Sequence, residues 1–175
     1  MEKAEIRKTI KERFKDFKAE KEEEKIIIER IKALDEYRKA DTVLLYSALD
    51  DEVDLSALLS SEDKTFLFPY IKNGEMGFST RPLKKGCFGI MEPENKEEYL
   101  FSKALLIAPG RAFTESGARL GRGKGFYDEY IRKNKDRLFT LGVCFSIQLF
   151  KTLPVDANDQ KIDLIISGGE GTPAS

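Results

Sequence analysis

The run Ala108-Pro109-Gly110-Arg111-Ala112-Phe113-Thr114-Glu115-Ser116-Gly117-Ala118-Arg119-Leu120-Gly121-Arg122-Gly123-Lys124-Gly125-Phe126-Tyr127-Asp128-Glu129-Tyr130 decides how the chain is read. It follows a short apolar segment, Ala104 to Ala108, that reads as a buried strand, and it leads into residues whose Phe126, Tyr130 and Ile131 share one helical face. The order is strand, long glycine-rich loop, helix start. From Gly117 to Gly125 the loop holds four glycines (Gly117, Gly121, Gly123, Gly125) and three cations (Arg119, Arg122, Lys124), with no acid before Asp128. Glycine admits positive φ and brings backbone N–H groups close to a ligand, while a helix N-terminus adds partial positive charge. A polyphosphate asks for both. Asp128, one turn into the helix, is the nearest carboxylate able to hold Mg²⁺ on that polyphosphate.

The same pattern also describes a flexible surface loop or an Arg-Gly segment that grips RNA. It is not a Walker loop, because Gly125 stands after Lys124 where a Ser or Thr hydroxyl should meet the metal. Nor is it a Rossmann fingerprint: the loop is basic and no acid stands about 20 residues on, at the end of a second strand.

Composition narrows the chemistry. The 175 residues, 41% hydrophobic and 35% charged, predict a single soluble globular domain over 1–175. Thirty Lys and Arg against 31 Asp and Glu leave a net charge of −1, which argues against a dedicated nucleic-acid binder. Cys87 and Cys144 sit among apolar neighbours and read as buried thiols. No apolar run approaches 18 residues and the N-terminus is charged, so a cytoplasmic protein without membrane contact is expected. There is no histidine, which removes the commonest general base and transition-metal ligand. Chemistry must rest on carboxylates, cations, hydroxyls, backbone N–H groups and a hard metal.

Residues 1 to about 39 lack Gly and Pro and carry Ile6, Ile10, Phe14 and Phe17, then Ile27, Ile28, Ile31 and Leu34, at helical spacing: two helices or one bent helix. The Lys/Glu-rich run Lys18 to Lys25 reads as a solvated helical face. Lys3 and Arg7 project from one face, one turn apart. Thr42 to Ser47 reads as a buried strand, followed by an acidic turn and a short helix ending near Leu59. Thr65 to Phe68 reads as a strand ended by Pro69, with a hairpin turn at Asn73-Gly74. Met76 and Phe78 read as apolar packing, and Leu83 to Glu98 as loop. Phe126 to Lys133 reads as helix, Leu138 to Phe145 and Leu164 to Ser167 as strands, and 168–175 as a frayed tail. Alternating helices and short apolar strands predict an α/β layered fold with a mostly parallel central sheet and the site at the strand carboxyl ends.

Pro109-Gly110, Ala112-Phe113 and Gly117 through Asp128 (G-A-R-L-G-R-G-K-G-F-Y-D) resemble the signature of the 5-formyltetrahydrofolate cyclo-ligase (5,10-methenyltetrahydrofolate synthetase) family, and looser matches run along nearly the whole chain. The resemblance implies a ribose-phosphate isomerase/CoA-transferase-like fold and ATP-dependent closure of 5-formyltetrahydrofolate to 5,10-methenyltetrahydrofolate, with ADP and phosphate released. It implies that Lys3 and Arg7, matching a Lys-x-x-x-Arg pair, meet the nucleotide phosphates together with Arg119, Leu120, Gly121, Arg122, Gly123, Lys124, Gly125, Phe126 and Tyr127. It places Ser47, Glu52, Met76, Phe126 and Tyr127 on the folate, Glu52 accepting N–H groups from the pterin edge. Arg122, Lys124 and Tyr127 take catalytic roles, and Asp128 with Asp159 hold Mg²⁺, Asp163 being the reserve for Asp159. Gly89-Ile90-Met91-Glu92-Pro93 and Gln148 match further family positions. Phe126 stands where many relatives have Tyr, and Asn158 where many have His. The expected ligands are ATP, Mg²⁺ and the folate, on a monomer. The rival readings are a paralogue with the same ATP site and another acceptor, and a non-catalytic module that grips RNA or another phosphorylated partner.

Overall fold

In the computed structural model, which describes residues 1–86 and 89–169, apolar residues at alternate positions of short strands build a sheet covered on both faces. The strands of the main sheet are β1 (Thr42–Leu44), β2 (Thr65–Lys72), β3 (Glu75–Ser79), β6 (Ala104–Ala108), β9 (Leu138–Cys144) and β10 (Leu164–Ser167). Their spatial order is β10-β9-β6-β1-β2-β3, parallel throughout except where β2 turns back into β3. Val43, Phe66, Phe68, Leu105, Ile107, Leu141 and Val143 point to one face, where Ile27 and Ile31 of α2 (Glu20–Ala33) cover them. Leu44, Leu67, Leu106 and Ala108 point to the other, under Tyr130 and Ile131 of α4 (Phe126–Asn134). The period of two is what alternation of side chains across a pleated strand requires.

The N-terminal segment resolves into three helices, α1 (Lys3–Asp16), α2 and α3 (Asp35–Lys39). Helix α1 buries Ile6 and Ile10 against Ala112, Leu120 and Phe150, roughly 1.5–3 kcal/mol per side chain removed from water. Glu2 opens it with a capping box to Glu5, which sets the first turn and therefore Lys3.

Four expectations are corrected. The central loop is not irregular throughout: it contains a two-stranded hairpin, β7 (Ala112–Phe113) with β8 (Arg119–Leu120), whose side chains are buried. The 83–98 segment is not all loop, because β4 (Leu83–Lys85) pairs with β5 (Met91–Pro93). Pro69 does not end its strand. Asn73 and Gly74 both take positive φ, so the two-residue turn makes Lys72 and Glu75 a hydrogen-bonded pair; alternation then leaves Pro69 and Phe78 as a non-bonded pair, where a missing N–H is harmless. The Lys18 to Lys25 run is not wholly a solvated face. Glu23 is buried, accepting from the Ser146 amide at 2.7 Å and the Ser146 hydroxyl at 2.5 Å. Cys144 is buried as expected, whereas Cys87 and the tail beyond Gly169 lie outside the described residues.

Chain order reverses between β1 and β6: the chain leaves β1 for β2 on one side and later returns to β6 on the other. At such a switch point the loops leaving neighbouring strands diverge and open a crevice at their carboxyl ends. Gly117 fixes one wall of it. Its carbonyl accepts from the Ile162 amide at 2.8 Å, φ is +99°, and a Cβ there would lie 2.3 Å from the Ile162 carbonyl oxygen. Gly117→Ala is therefore expected to lose roughly 2–4 kcal/mol of stability, from left-handed strain plus the clash. Gly125→Ala, strained but in open space, should lose about 1–2 kcal/mol. Urea unfolding of both variants checks this, and equal losses would remove the close-packing role of Gly117.

Candidate active site

Three strand ends supply the crevice. The β1 end leads through half-buried Ser47 to the acidic turn Asp50-Asp51-Glu52. The β6 end leads through Arg111 into the hairpin and the Gly121 to Gly125 loop. The β9 end leads to a 3₁₀ turn, Ser146–Gln148, whose Gln148 amide donates to the carbonyls of Gly110 at 2.9 Å and Arg111 at 3.2 Å while its oxygen accepts from the Phe145 amide. Gln148 is thus a strut under the basic loop.

The loop cations differ sharply in environment. Lys124 is exposed and makes no ion pair among the described residues, next to Gly125, which takes φ +73° and begins α4. The amides of that first turn have no intrahelical partner, which leaves them available to an anion. Arg122 reaches across the crevice: it lies 2.5 Å from Asp51 and 3.4 Å from Glu52. Arg119 sits behind the loop with a side chain 4% exposed, donates to the Pro109 carbonyl at 2.8 Å, and lies 3.6 Å from Asp128 and 5.2 Å from the Tyr127 ring centre. Leu120 is buried beneath α1 and Gly121 passes over Arg119. In this arrangement Arg119 holds Asp128 in place rather than lining an open cradle.

Helix α1 closes the site from above. Arg7 donates to the Gly121 carbonyl at 3.0 Å and its guanidinium passes beside Gly123. One turn earlier, Lys3 bridges Asp156 at 2.7 Å and Asp159 at 2.6 Å. The Asp159 segment also meets α4, since the Gln160 amide donates to Asp128 at 3.0 Å. Both predicted metal carboxylates therefore border the loop. Asp163, the reserve, is turned away: its carboxylate accepts from the amide and hydroxyl of Thr140 at 2.8 and 3.0 Å. Two hard oxygen donors suit Mg²⁺, which binds few protein carboxylates and completes its shell with water and phosphate. Among the described residues no group of three or more acidic, His or Cys side chains is arranged to hold a metal alone.

Met76, on β3, and Phe126, at the start of α4, line a shared cleft of about 280 Å³ with Tyr130 and Arg137, and Glu52 and Ser47 are not part of its lining. Phe78, two residues after Met76, is fully buried packing. Glu52 itself is 8% exposed and accepts from the Leu49 amide at 2.9 Å. Burial pushes its carboxyl above the ordinary range, against the Leu49 amide and the Arg122 charge. Burial, then the negative charge of Glu52, pushes the Tyr127 phenol far up, so at neutral pH Tyr127 keeps its proton and is a donor rather than a base. For Asp51, burial pushes up but is outweighed by Arg122 and Arg111, which hold it below the usual range.

Sequence reading missed Asp51, Arg111 and Asp156. In the sequence Asp51 is one member of an acidic turn with nothing local to set it apart, and Arg111 lies before Gly117, outside the glycine-rich basic stretch. Nothing in sequence announces that Lys3 meets Asp156, 153 positions away.

The opposite shifts of two adjacent acids give opposite pH behaviour. A raised folded-state value means the folded protein takes up a proton more readily, so ionised Glu52 opposes folding as pH rises above the free value of 4.5. Glu52→Gln should gain stability relative to the parent between pH 4 and 7. The lowered value of Asp51 contributes stability above the free value of 3.8, lost as pH falls through the folded value. Asp51→Asn should therefore be more destabilising at pH 7 than at pH 3. Urea midpoints across that range check both signs.

The profile of the 5-formyltetrahydrofolate cyclo-ligase family matches residues 1–168. The 5-formyltetrahydrofolate cyclo-ligase of Haemophilus influenzae is 31% identical over 147 residues, covering 76% of this chain and 79% of that protein. The cyclo-ligase of Mus musculus is 24% identical, covering 97% and 94%. The solved 5,10-methenyltetrahydrofolate synthetase of Aquifex aeolicus superposes with a TM-score of 0.80 at 32% identity, covering 96% of this chain and 90% of that one. A site built from a glycine-rich basic loop at a parallel-sheet switch point thus sits in a chain that belongs to the 5-formyltetrahydrofolate cyclo-ligase family.

Proposed function

We propose that the protein is a 5-formyltetrahydrofolate cyclo-ligase that consumes ATP to form 5,10-methenyltetrahydrofolate, ADP and phosphate. The observation that carries the reading is that an exposed Lys124, which makes no ion pair among the described residues, stands at the N-terminus of α4 on the same loop whose Arg122 reaches to 3.4 Å from the buried Glu52 across the crevice. One wall suits a polyphosphate and the other a hydrogen-bonding heterocycle.

The substrate is a formamide, whose oxygen is a poor leaving group and whose carbon is a poor electrophile. Transfer of the γ-phosphoryl group to that oxygen answers both: N10 attacks the activated carbon and gives up its proton to solvent, the C–O bond breaks and phosphate departs. The protein has to position and to neutralise charge, which needs no histidine. Lys124, Arg122, Arg7 and the amides of Gly121 to Phe126 would hold the triphosphate, with Lys3 near the Asp159 segment and Arg119 fixing Asp128 from below. Mg²⁺, held by Asp128 and Asp159, would offset charge on the transferring phosphoryl group. Tyr127, kept protonated, would donate toward the formyl group. Phe126 and Met76 would supply apolar surface to the folate, and Glu52, with Ser47 from the same β1 connection, would receive the pterin edge. Phe126 provides no hydroxyl, so a hydroxyl role at that position falls to Tyr127 alone.

The test is ADP release by purified protein with Mg²⁺, with and without 5-formyltetrahydrofolate, while methenyl product is followed by absorbance. One ADP per methenyl product is expected; ATP binding without folate-dependent turnover would point to a different acceptor, and salt-sensitive RNA binding without turnover to a binding module. Lys124→Ala and Asp128→Asn should each lower kcat by about 100-fold or more, and normal turnover by Asp128→Asn would sink the metal assignment. Glu52→Gln should chiefly raise the folate KM.

A further inference from the structure

The acidic turn after β1 and the basic loop after β6 are joined by a chain of charges. Asp51 is held on both carboxylate oxygens: Oδ2 accepts from Arg111, and Oδ1 accepts from Arg122 at 2.5 Å. Its two partners differ in freedom. Arg111 is 11% exposed; its amide donates to the Leu120 carbonyl at 2.7 Å and its carbonyl accepts from Gln148, so it is fixed at both ends. Arg122 is 41% exposed and lies between Gly121 and Gly123, the latter at φ +107°. Asp51 therefore has one rigid partner and one that can leave. Beside it, Glu52 has one oxygen satisfied by the Leu49 amide, while its other oxygen faces Arg122 at 3.4 Å.

We propose that Asp51 is a positioning residue that parks Arg122 over Glu52 in the nucleotide-free protein and releases it to the triphosphate, so that nucleotide and pterin bind with positive coupling. This rests on the assignment of the loop to phosphate and of Glu52 to the pterin. A triphosphate outcompetes a single carboxylate for a mobile guanidinium, and Asp51 can yield it because Arg111 remains to neutralise the charge left behind. When Arg122 leaves, the second oxygen of Glu52 loses its cation. A buried carboxylate without a donor is costly, so its affinity for the N–H groups of an aminopyrimidine rises. A pterin already on Glu52 in turn loosens Arg122 toward the phosphate. Linkage requires both affinities to change by one factor.

The test titrates the full-length protein with a non-hydrolysable ATP analogue and Mg²⁺ in a calorimeter, with and without saturating 5-formyltetrahydrofolate, and then reverses the order. The parent protein should bind the analogue at least about fivefold more tightly when folate is present. Asp51→Asn should bind the analogue more tightly than the parent in the absence of folate, since Arg122 is no longer parked, while the coupling factor falls toward one; Asp51→Glu should restore it. A change in local charge alone would move the nucleotide affinity without moving the factor. A factor of one in the parent protein, or a full factor in Asp51→Asn, overturns the proposal. Should Asp51→Asn fail to fold, Arg122→Ala replaces it, and retained coupling in that variant overturns it equally. Failure to bind 5-formyltetrahydrofolate at all overturns the substrate reading and this inference with it, whereas binding of both ligands without coupling overturns this inference alone.

Discussion

The Arg111, Asp51 and Arg122 bridge spans the gap between β1 and β6, and the rest of the site depends on it. Parallel strands deliver their loops to one end of the sheet, and the reversal of strand order at β1 lets two of those loops diverge around a crevice. Loops that diverge need a cross-tie. Here it is electrostatic and half-buried: an acid from one loop lies between two arginines of the other. In so sheltered a place the attraction is less screened than on an open surface, yet Arg122 keeps enough exposure to move. An apolar tie would have closed the crevice without leaving a charge to offer a ligand.

A second constraint is vertical. Helix α1 is held by the apolar contacts of Ile6 and Ile10 with the hairpin, and the same helix carries Lys3 and Arg7 to the loop and to the Asp159 segment. Residues one turn apart on one face project together, so packing one stripe of α1 aims the neighbouring one. From below, Gln148 and Arg119 fasten the loop backbone by hydrogen bonds and Arg119 faces Asp128 as an ion pair, which leaves the upper surface free. The loop is exposed where glycine and Lys124 face outward. A rigid base with a few free donors suits chemistry that depends on positioning charge.

Burial divides the labour among groups that are alike in sequence. Asp51 and Glu52 are neighbours, yet two arginines hold one ionised while desolvation pushes the other toward protonation. Arg119 and Arg122 are three apart, yet one is enclosed under Tyr127 and the other reaches across the crevice. Without histidine, this sorting of carboxylates and cations by environment is how the site obtains groups of different character.

By itself the sequence determined the layered α/β class, the strand, loop and helix order around Gly117 to Gly125, the position of Asp128 and the facing of Lys3 with Arg7. All of these follow from periodicity of two or 3.6 residues, or from glycine and cation spacing, which are local properties. The family resemblance carried Glu52 and Asp159, which no local pattern singles out. Only the tertiary structure decided that Pro69 continues its strand, that Glu23 is buried, that Arg119 lies behind the loop, that Asp163 is tied to Thr140 and that Asp51 and Arg111 belong to the crevice. Each of these depends on partners far along the chain, such as Asp51 with Arg122, 71 positions apart. Burial and charge pairing are properties of the neighbours a residue acquires on folding, and those neighbours are set by the order of strands in the sheet.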